Sequence, residues 1–185
     1  MQLPDTFPEE LFTPRLLIRP ARPGDGEQFH AAILESQAEL SPWLGWTFPP
    51  PSIEHTEMEC RKAHGCYLLG EDLMVFFFER TAGLLVGGGG LHKADWKLRK
   101  FEIAYWCRTG YGGKGLVTEA VNALASHAMN ELRANRLELT VDEDNTKSRL
   151  LAERAGFELE GVHRNAGFTP HGNLRNLCVY AKTAA

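Results

Sequence analysis

Residues Glu102 to Ala120 read EIAYWCRTGYGGKGLVTEA, and the rest of the chain arranges itself around them. The stretch opens as a strand, passes through four glycines among six residues (Gly110, Gly112, Gly113 and Gly115) and runs straight into an amphipathic helix. Such a turn frees backbone N–H groups, and the positive end of the helix macrodipole lies just behind them. Together they suit an anionic phosphate without any metal. The same succession also makes a plain β–α connection, and glycine content alone does not choose between the two. No Lys-Ser or Lys-Thr pair follows the glycines at P-loop offset, and a G-x-G-x-x-G fingerprint fits poorly, with no acidic residue placed on a second strand.

On the C-terminal side, Leu116, Val117, Ala120, Val121, Leu124, Ala128 and Leu132 form one apolar helical stripe. Arg136 to Val141 (RLELTV) alternates as a strand, and because it follows a helical crossover it should lie parallel to the strand that opens the glycine stretch. Asn145 to Ala155 reads as a short helix, with Asn145 as N-cap and Gly156 at the stop position. Phe157 to His163 and Leu174 to Lys182 close the chain as two strands joined by a polar loop. On the N-terminal side, Leu73–Glu79, Leu84–His92 and Leu98–Cys107 read as the second, third and fourth strands. Gly87 to Gly90 interrupt the third, which suggests a bulge or a close backbone approach. Arg15 to Pro20 is the first strand, followed by a helix with Asp25 as a possible N-cap. Ser41 to Pro51 (SPWLGWTFPPP) cannot be regular structure, and Ile53 to His64 is helical. The expected fold is therefore α/β (α+β), a central mixed and mostly antiparallel sheet of about seven strands with about four helices, in a single domain over residues 1–185.

Composition excludes several classes. A net charge of −4 and a pI of about 6.0 give no basic field, so no nucleic-acid partner is expected. MQLPDTFPEELF lacks a basic n-region and an apolar h-region, and no run of about 18 apolar residues occurs, which predicts a soluble cytoplasmic chain with no membrane partner. Four scattered cysteines without C-x-x-C spacing read as free thiols, and seven histidines without ligand spacing predict no metal.

Five segments in order, RLLIRPARPGD, SPWLGW, EIAYW, GKGLVTEA and DEDNTKSRLLAERAGFELEG, resemble the RimJ/RimL-like branch of the GNAT superfamily of N-acetyltransferases. The resemblance runs from about Thr13 to Tyr180. It departs from the wider family's Gln/Arg-x-x-Gly-x-Gly/Ala motif, keeping Gly115 but placing Gly112 and Val117 at the other two fixed positions. It implies a sheet splayed between its fourth and fifth strands, with acetyl-CoA in the gap. The acceptor it implies is a protein N-terminal amine, notably of ribosomal proteins, or a small-molecule amine. Relatives often pair as homodimers.

Amide formation from a thioester needs a neutral amine, a donor for the oxyanion and a proton for the departing thiolate. The resemblance places the oxyanion and pantetheine contacts on the backbone of Tyr105, Trp106 and Cys107. It places the pyrophosphate on N–H groups of Gly112, Gly113, Lys114, Gly115, Leu116, Val117 and Thr118, with Lys114 and Arg108 as possible added charge. Glu102 is the candidate base, sharing a strand face with Ala104 and Trp106, in a site whose burial would raise its pKa. A half-exposed glutamate at a strand start is the structural alternative. The tyrosine that many relatives use as the acid is replaced here by Ala152, which leaves Ser148 as the candidate, with Asn145 as both helix cap and cofactor contact. Trp43, Trp46 and Phe48 either anchor their loop on the core or wall a substrate cleft. Cys107 has no histidine placed by sequence to activate it as a nucleophile. A non-catalytic acyl-CoA-binding module of the same fold is the rival reading, motivated by Gly112, Val117 and Ala152.

Overall fold

The computed structural model describes residues 8–184 and contains a single eight-stranded sheet. Residues 1–7, read above for the absence of a leader, lie outside the described residues. The chain runs β1 (Leu11–Phe12), β2 (Leu16–Pro20), α1 (Gly26–Leu40), α2 (Ile53–Leu69), β3 (Leu73–Glu79), β4 (Leu85–Asp95), β5 (Lys100–Cys107), α3 (Leu116–Asn130), β6 (Arg136–Asp142), α4 (Thr146–Arg154), β7 (Glu158–Phe168) and β8 (Leu174–Thr183). The spatial order is β1-β2-β3-β4-β5-β6-β8-β7. Every neighbouring pair is antiparallel except β5 and β6, which run parallel through the α3 crossover. The expected fourth and fifth strands are thus β5 and β6, displaced in number by the two-residue β1.

Alternation along the strands divides the apolar residues between two faces. Val75, Phe77, Phe101, Ile103 and the stripe of α3 fill one core. Phe76, Phe78 and Trp106 pack with Phe29 and Ile33 of α1 in the other. The glycine tract in β4 is explained by these rings together with flanking backbone: the carbonyls of Trp106, Ala104 and Leu73 come nearest to a Cβ at Gly87, Gly89 and Gly90. A Cβ on Gly88 would meet the Trp106 indole at 2.8 Å and Phe76 at 3.1 Å. On the opposite face the Phe77 ring lies over Gly87 and Gly89. Three large rings and the neighbouring strands' carbonyls occupy the space that side chains on β4 would take.

Several boundaries differ from the sequence reading. α2 continues to Leu69 rather than ending near His64, because Tyr67 is buried and Gly70 supplies a left-handed stop at φ 68°. Ser41 to Pro51 is not wholly irregular, since Gly45–Thr47 forms one 3-10 turn in which the Thr47 hydroxyl donates to Leu44 C=O at 2.7 Å. β7 extends to Phe168 because β8 pairs with it through two register shifts, even though it is mostly exposed. Asp25 does precede α1, yet its carboxylate does not cap the helix. It takes two 2.7 Å hydrogen bonds from Arg19 instead.

Candidate active site

β5 and β6 pair only at Lys100–Arg136, Phe101–Leu137 and Glu102–Glu138, and beyond Glu102 they part. The Arg108 N–H donates to Val86 C=O at 2.9 Å, which fixes the alternation along this register. Even-numbered residues of β5 turn their amides to β4, and odd-numbered residues turn theirs away. The backbone groups of Tyr105 and Cys107 therefore face the gap with no strand opposite. Trp106 corrects the sequence reading. Its amide belongs to the ladder with Gly88, and its side chain is 7% exposed under α1, so it offers the gap no backbone donor.

The glycine segment beyond β5 is braced from both sides. On one side, α1 holds it: Glu35 accepts from Arg108 Nε at 2.6 Å and from Gly110 N–H at 2.9 Å, while Ser36 Oγ accepts from Thr109 N–H at 2.9 Å. Arg108 is thereby committed to Glu35, whose carboxyl it holds below its ordinary range, rather than free to meet a phosphate. On the other side, Glu119 in the first turn of α3 accepts from Thr13 Oγ1 and Arg15 Nε, both at 2.6 Å, and Arg15 also reaches Lys114 C=O at 2.8 Å. Burial pushes the Glu119 carboxyl up, but these donors outweigh it and leave the pKa lowered. Gly112 N–H is used by Thr109 C=O at 3.0 Å, so the expected run of donors is shorter by one residue. The N–H groups of Gly113, Lys114, Gly115, Leu116, Val117 and Thr118 have no acceptor among the described residues. Gly113 and Gly115 both sit at φ 74°, which turns this ribbon of amides toward one side. The Lys114 ammonium folds back on Gly110 C=O at 2.8 Å. An open hollow of about 360 Å³ adjoins the segment, lined by Arg15, Arg80, Thr81, Tyr111 and Lys114 among others.

Across the gap stands the first turn of α4. Asn145 caps it, its Oδ1 accepting from Ser148 N–H at 3.1 Å. The Tyr105 hydroxyl reaches over from β5 to within 3.0 Å of both Ser148 Oγ and Ser148 C=O. Burial pushes the Tyr105 phenol up to about 12, so it stays protonated at neutral pH. Ala152, where the resemblance would place a tyrosine, is fully buried, and the Tyr105 phenol lies on another element. Burial likewise pushes the Cys107 thiol up to about 11, which makes it a poor nucleophile.

Glu102 lies on the opposite face of β5, with the exposed Ala104 and buried Trp106 beyond it. It is not in the desolvated setting expected of it. A quarter of its side chain is exposed, and its carboxylate is 2.7 Å from Lys93 Nζ. Glu138 is bound by Lys100 at 2.7 Å and Arg136 at 2.9 Å, and Lys100 above all holds its carboxyl low. Trp46 packs on Trp106 and Phe29, with ring centroids 6.3 and 5.9 Å apart, and is 47% exposed, so it both anchors its loop and presents a surface. Phe48 is more exposed and Trp43 half-buried. Gly45 in this loop approaches Pro170 in the β7–β8 turn. Two groups escaped the sequence reading: the Tyr105 side chain, named there only for its backbone, and His92, held by Asp72 at the end of β4. Alternation alone places Tyr105 with Ile103, but the register of β4 against β5 is needed to place His92 beside Glu102. Among the described residues no three His, Cys, Asp or Glu side chains gather as a metal site, and no helix is long and apolar enough to cross a membrane.

A sheet that parts between two parallel strands, with a ribbon of open amides at one end of the gap and hydroxyls facing across it, defines a class of group-transfer enzyme. The acetyltransferase (GNAT) domain family matches residues 15–158, and the chain belongs to the GNAT acetyltransferases. It is 31% identical over 169 residues to YdaF of Bacillus subtilis (strain 168), provisionally named a ribosomal N-acetyltransferase, covering 90% of each chain. The solved structure of a probable acetyltransferase superposes with a TM-score of 0.86 at 29% identity, covering 94% of this chain and 96% of that one. RimL, a ribosomal L7/L12 α-N-protein acetyltransferase solved with coenzyme A, shares the fold with a TM-score of 0.86 at 22% identity, covering 92% and 95%.

Proposed function

We propose that this acetyltransferase moves the acetyl group of acetyl-CoA directly to a primary amine, the acceptor being a protein N-terminal amine of the ribosomal-protein kind or a small amine. The observation that carries the reading is the gap itself. Six unpartnered amides, Gly113 to Thr118, fit the cosubstrate's pyrophosphate, and the gap-facing backbone of Tyr105 and Cys107 fits an extended pantetheine arm and the oxyanion. The hollow beside Arg15, Arg80 and Lys114 suits the nucleotide end.

The two ends of the reaction then fall on opposite faces of β5. Glu102 draws the ammonium of the acceptor to the face where Ala104 lies open and Trp46 and Phe48 wall the approach, with Trp43 at the start of the same loop. On the other face, Tyr105 and Ser148 share a hydrogen bond from which either hydroxyl can pass a proton to the departing sulfur, while Asn145 fixes the turn that carries Ser148. Cys107 forms no acyl intermediate, and no metal takes part. RimL is an α-N-acetyltransferase of ribosomal L7/L12 and YdaF is named for ribosomal acetylation, and both favour a ribosomal protein terminus as acceptor. The enzyme works in the cytoplasm, as a single domain that pairs as a homodimer. Incubation with acetyl-CoA and a panel of N-terminal peptides and small amines tests the reading: release of coenzyme A thiol that tracks acetylated amine supports it. Acetyl-CoA binding with no turnover on any acceptor supports the non-catalytic module instead.

A further inference from the structure

The register places four side chains in one row across the sheet. Leu73 pairs with Leu91, so Asp72 and His92 lie one step beyond as neighbours. His92 pairs with Glu102, and Glu102 with Glu138. Directly paired residues put their Cβ atoms about 5 Å apart on the same face. The row therefore sits on the face that carries Ala104 and Trp106, at the point where β5 and β6 begin to part.

His92 differs from the rest of the row in being oriented but not used up. Its Nδ1 lies 2.9 Å from both carboxylate oxygens of Asp72. A carboxylate only accepts, so Nδ1 carries a hydrogen, and in the neutral ring Nε2 then carries the lone pair. Nε2 has no hydrogen-bond partner among the described residues, and a quarter of the side chain is exposed. The charged groups facing it are Asp72 on the approach to β3, Glu102 on β5 and Lys93 on β4 itself, with Lys100, Arg136 and Glu138 one step further. Glu102 is engaged by Lys93, and Glu138 by Lys100 and Arg136.

We infer that His92, oriented by Asp72, is the catalytic residue that takes the proton of the acceptor amine, while Glu102 holds the ammonium beside it. The inference rests on the transferase reading and deepens it. One N–H proton of the ammonium passes to Nε2, giving an imidazolium that discharges to solvent. The freed lone pair forms the C–N bond at the thioester carbonyl, the C–S bond breaks, and a second N–H proton is made up at sulfur through Tyr105 and Ser148. Ammonium and thioester thus become amide, thiol and one released proton.

The test is the pH dependence of kcat/KM for the wild type, His92→Gln, Asp72→Asn and Glu102→Gln, alongside acetyl-CoA affinity and Tm for each. The wild type should show an acid limb. His92→Gln should lose that limb and fall about 10²- to 10³-fold at neutral pH, with acetyl-CoA affinity and Tm unchanged. Asp72→Asn, which offers Nδ1 a donor and so favours the wrong tautomer, should fall less. Glu102→Gln should raise KM for the acceptor and keep the limb. Added imidazole should restore part of the rate to His92→Gly, which a merely structural tie between β3 and β4 would not allow. A His92→Gln enzyme with wild-type rate and pH profile overturns the inference and leaves the transferase reading standing. A wild type that binds acetyl-CoA and turns over no acceptor removes both.

Discussion

Gly113→Ala separates the backbone's part in cosubstrate binding from every side-chain effect. Gly113 sits at φ 74°, and a Cβ built there meets nothing within 4 Å, so the substitution introduces no clash. What it introduces is left-handed strain of about 1–2 kcal/mol. If the segment relaxes to relieve that strain, its amides turn away from the pyrophosphate and acetyl-CoA affinity falls by about 5- to 30-fold. Gly112 is the internal control, since its φ of −61° is open to any residue and its Cβ would lie 3.3 Å from Thr109 C=O, a contact a small shift relieves. Calorimetric titration with acetyl-CoA should therefore rank wild type and Gly112→Ala close together and Gly113→Ala well below, with the loss in affinity rather than in Tm. Equal affinities for the two variants would refute the claim that the amide ribbon carries the phosphate.

Other consequences follow from the same geometry. Tyr105→Phe should lower kcat by about 10²-fold, the low end for a general acid because Ser148 remains, and the double variant with Ser148→Ala should fall little further if the hydroxyls act as a unit. Full additivity in single-turnover rates would contradict that shared role. Glu119 is held low in the folded state, so it lends stability above its ordinary value of 4.5 and loses it as pH falls through the lowered one. Melting curves should accordingly show Glu119→Gln less stable than wild type at neutral pH, with the difference closing as pH falls from 4.5 through the lowered value; a pH-independent difference would disprove the linkage. Gly88→Ala would press a methyl group against Trp106 and Phe76 at 2.8 and 3.1 Å. Such overpacking costs about 1–3 kcal/mol, or about 2–12 °C in Tm for a chain of this size, and an unchanged Tm would show that the rings yield freely.

The features legible in the sequence were those set by local pattern. The α3 stripe from Leu116 to Ala128, the alternation of RLELTV, the Asn145 cap and the Gly156 stop each express a period or a terminus that neighbouring residues determine alone, whereas Leu132, expected on the same stripe, is buried just beyond the end of α3. Those that were not legible depend on which strand lies alongside. Whether the Trp106 amide faces the gap or β4 is decided by its pairing with Gly88. Whether Arg108 meets a phosphate is decided by Glu35 on α1, distant in sequence. β7 is exposed almost throughout, and its length comes from hydrogen bonds to β8 rather than from a buried apolar face. The partner of Glu102 was hidden for a similar reason: Lys93, at φ 49° in the irregular end of β4, brings its ammonium to that carboxylate. The glycine tract of β4 was legible as a close approach, though not which neighbours made it necessary: the rings of Phe76, Phe77 and Trp106 and the carbonyls of the flanking strands.

The most direct test of direct acetyl transfer in the β5–β6 gap is a single assay that follows coenzyme A thiol and acetylated amine together, with acetyl-CoA and peptides bearing a free N-terminus. The geometry predicts that the two products rise in equal amounts, with no acetylated enzyme accumulating in the absence of acceptor. Thiol release that leaves the acetyl group on the protein, or acetyl-CoA binding without release on any acceptor, would contradict it.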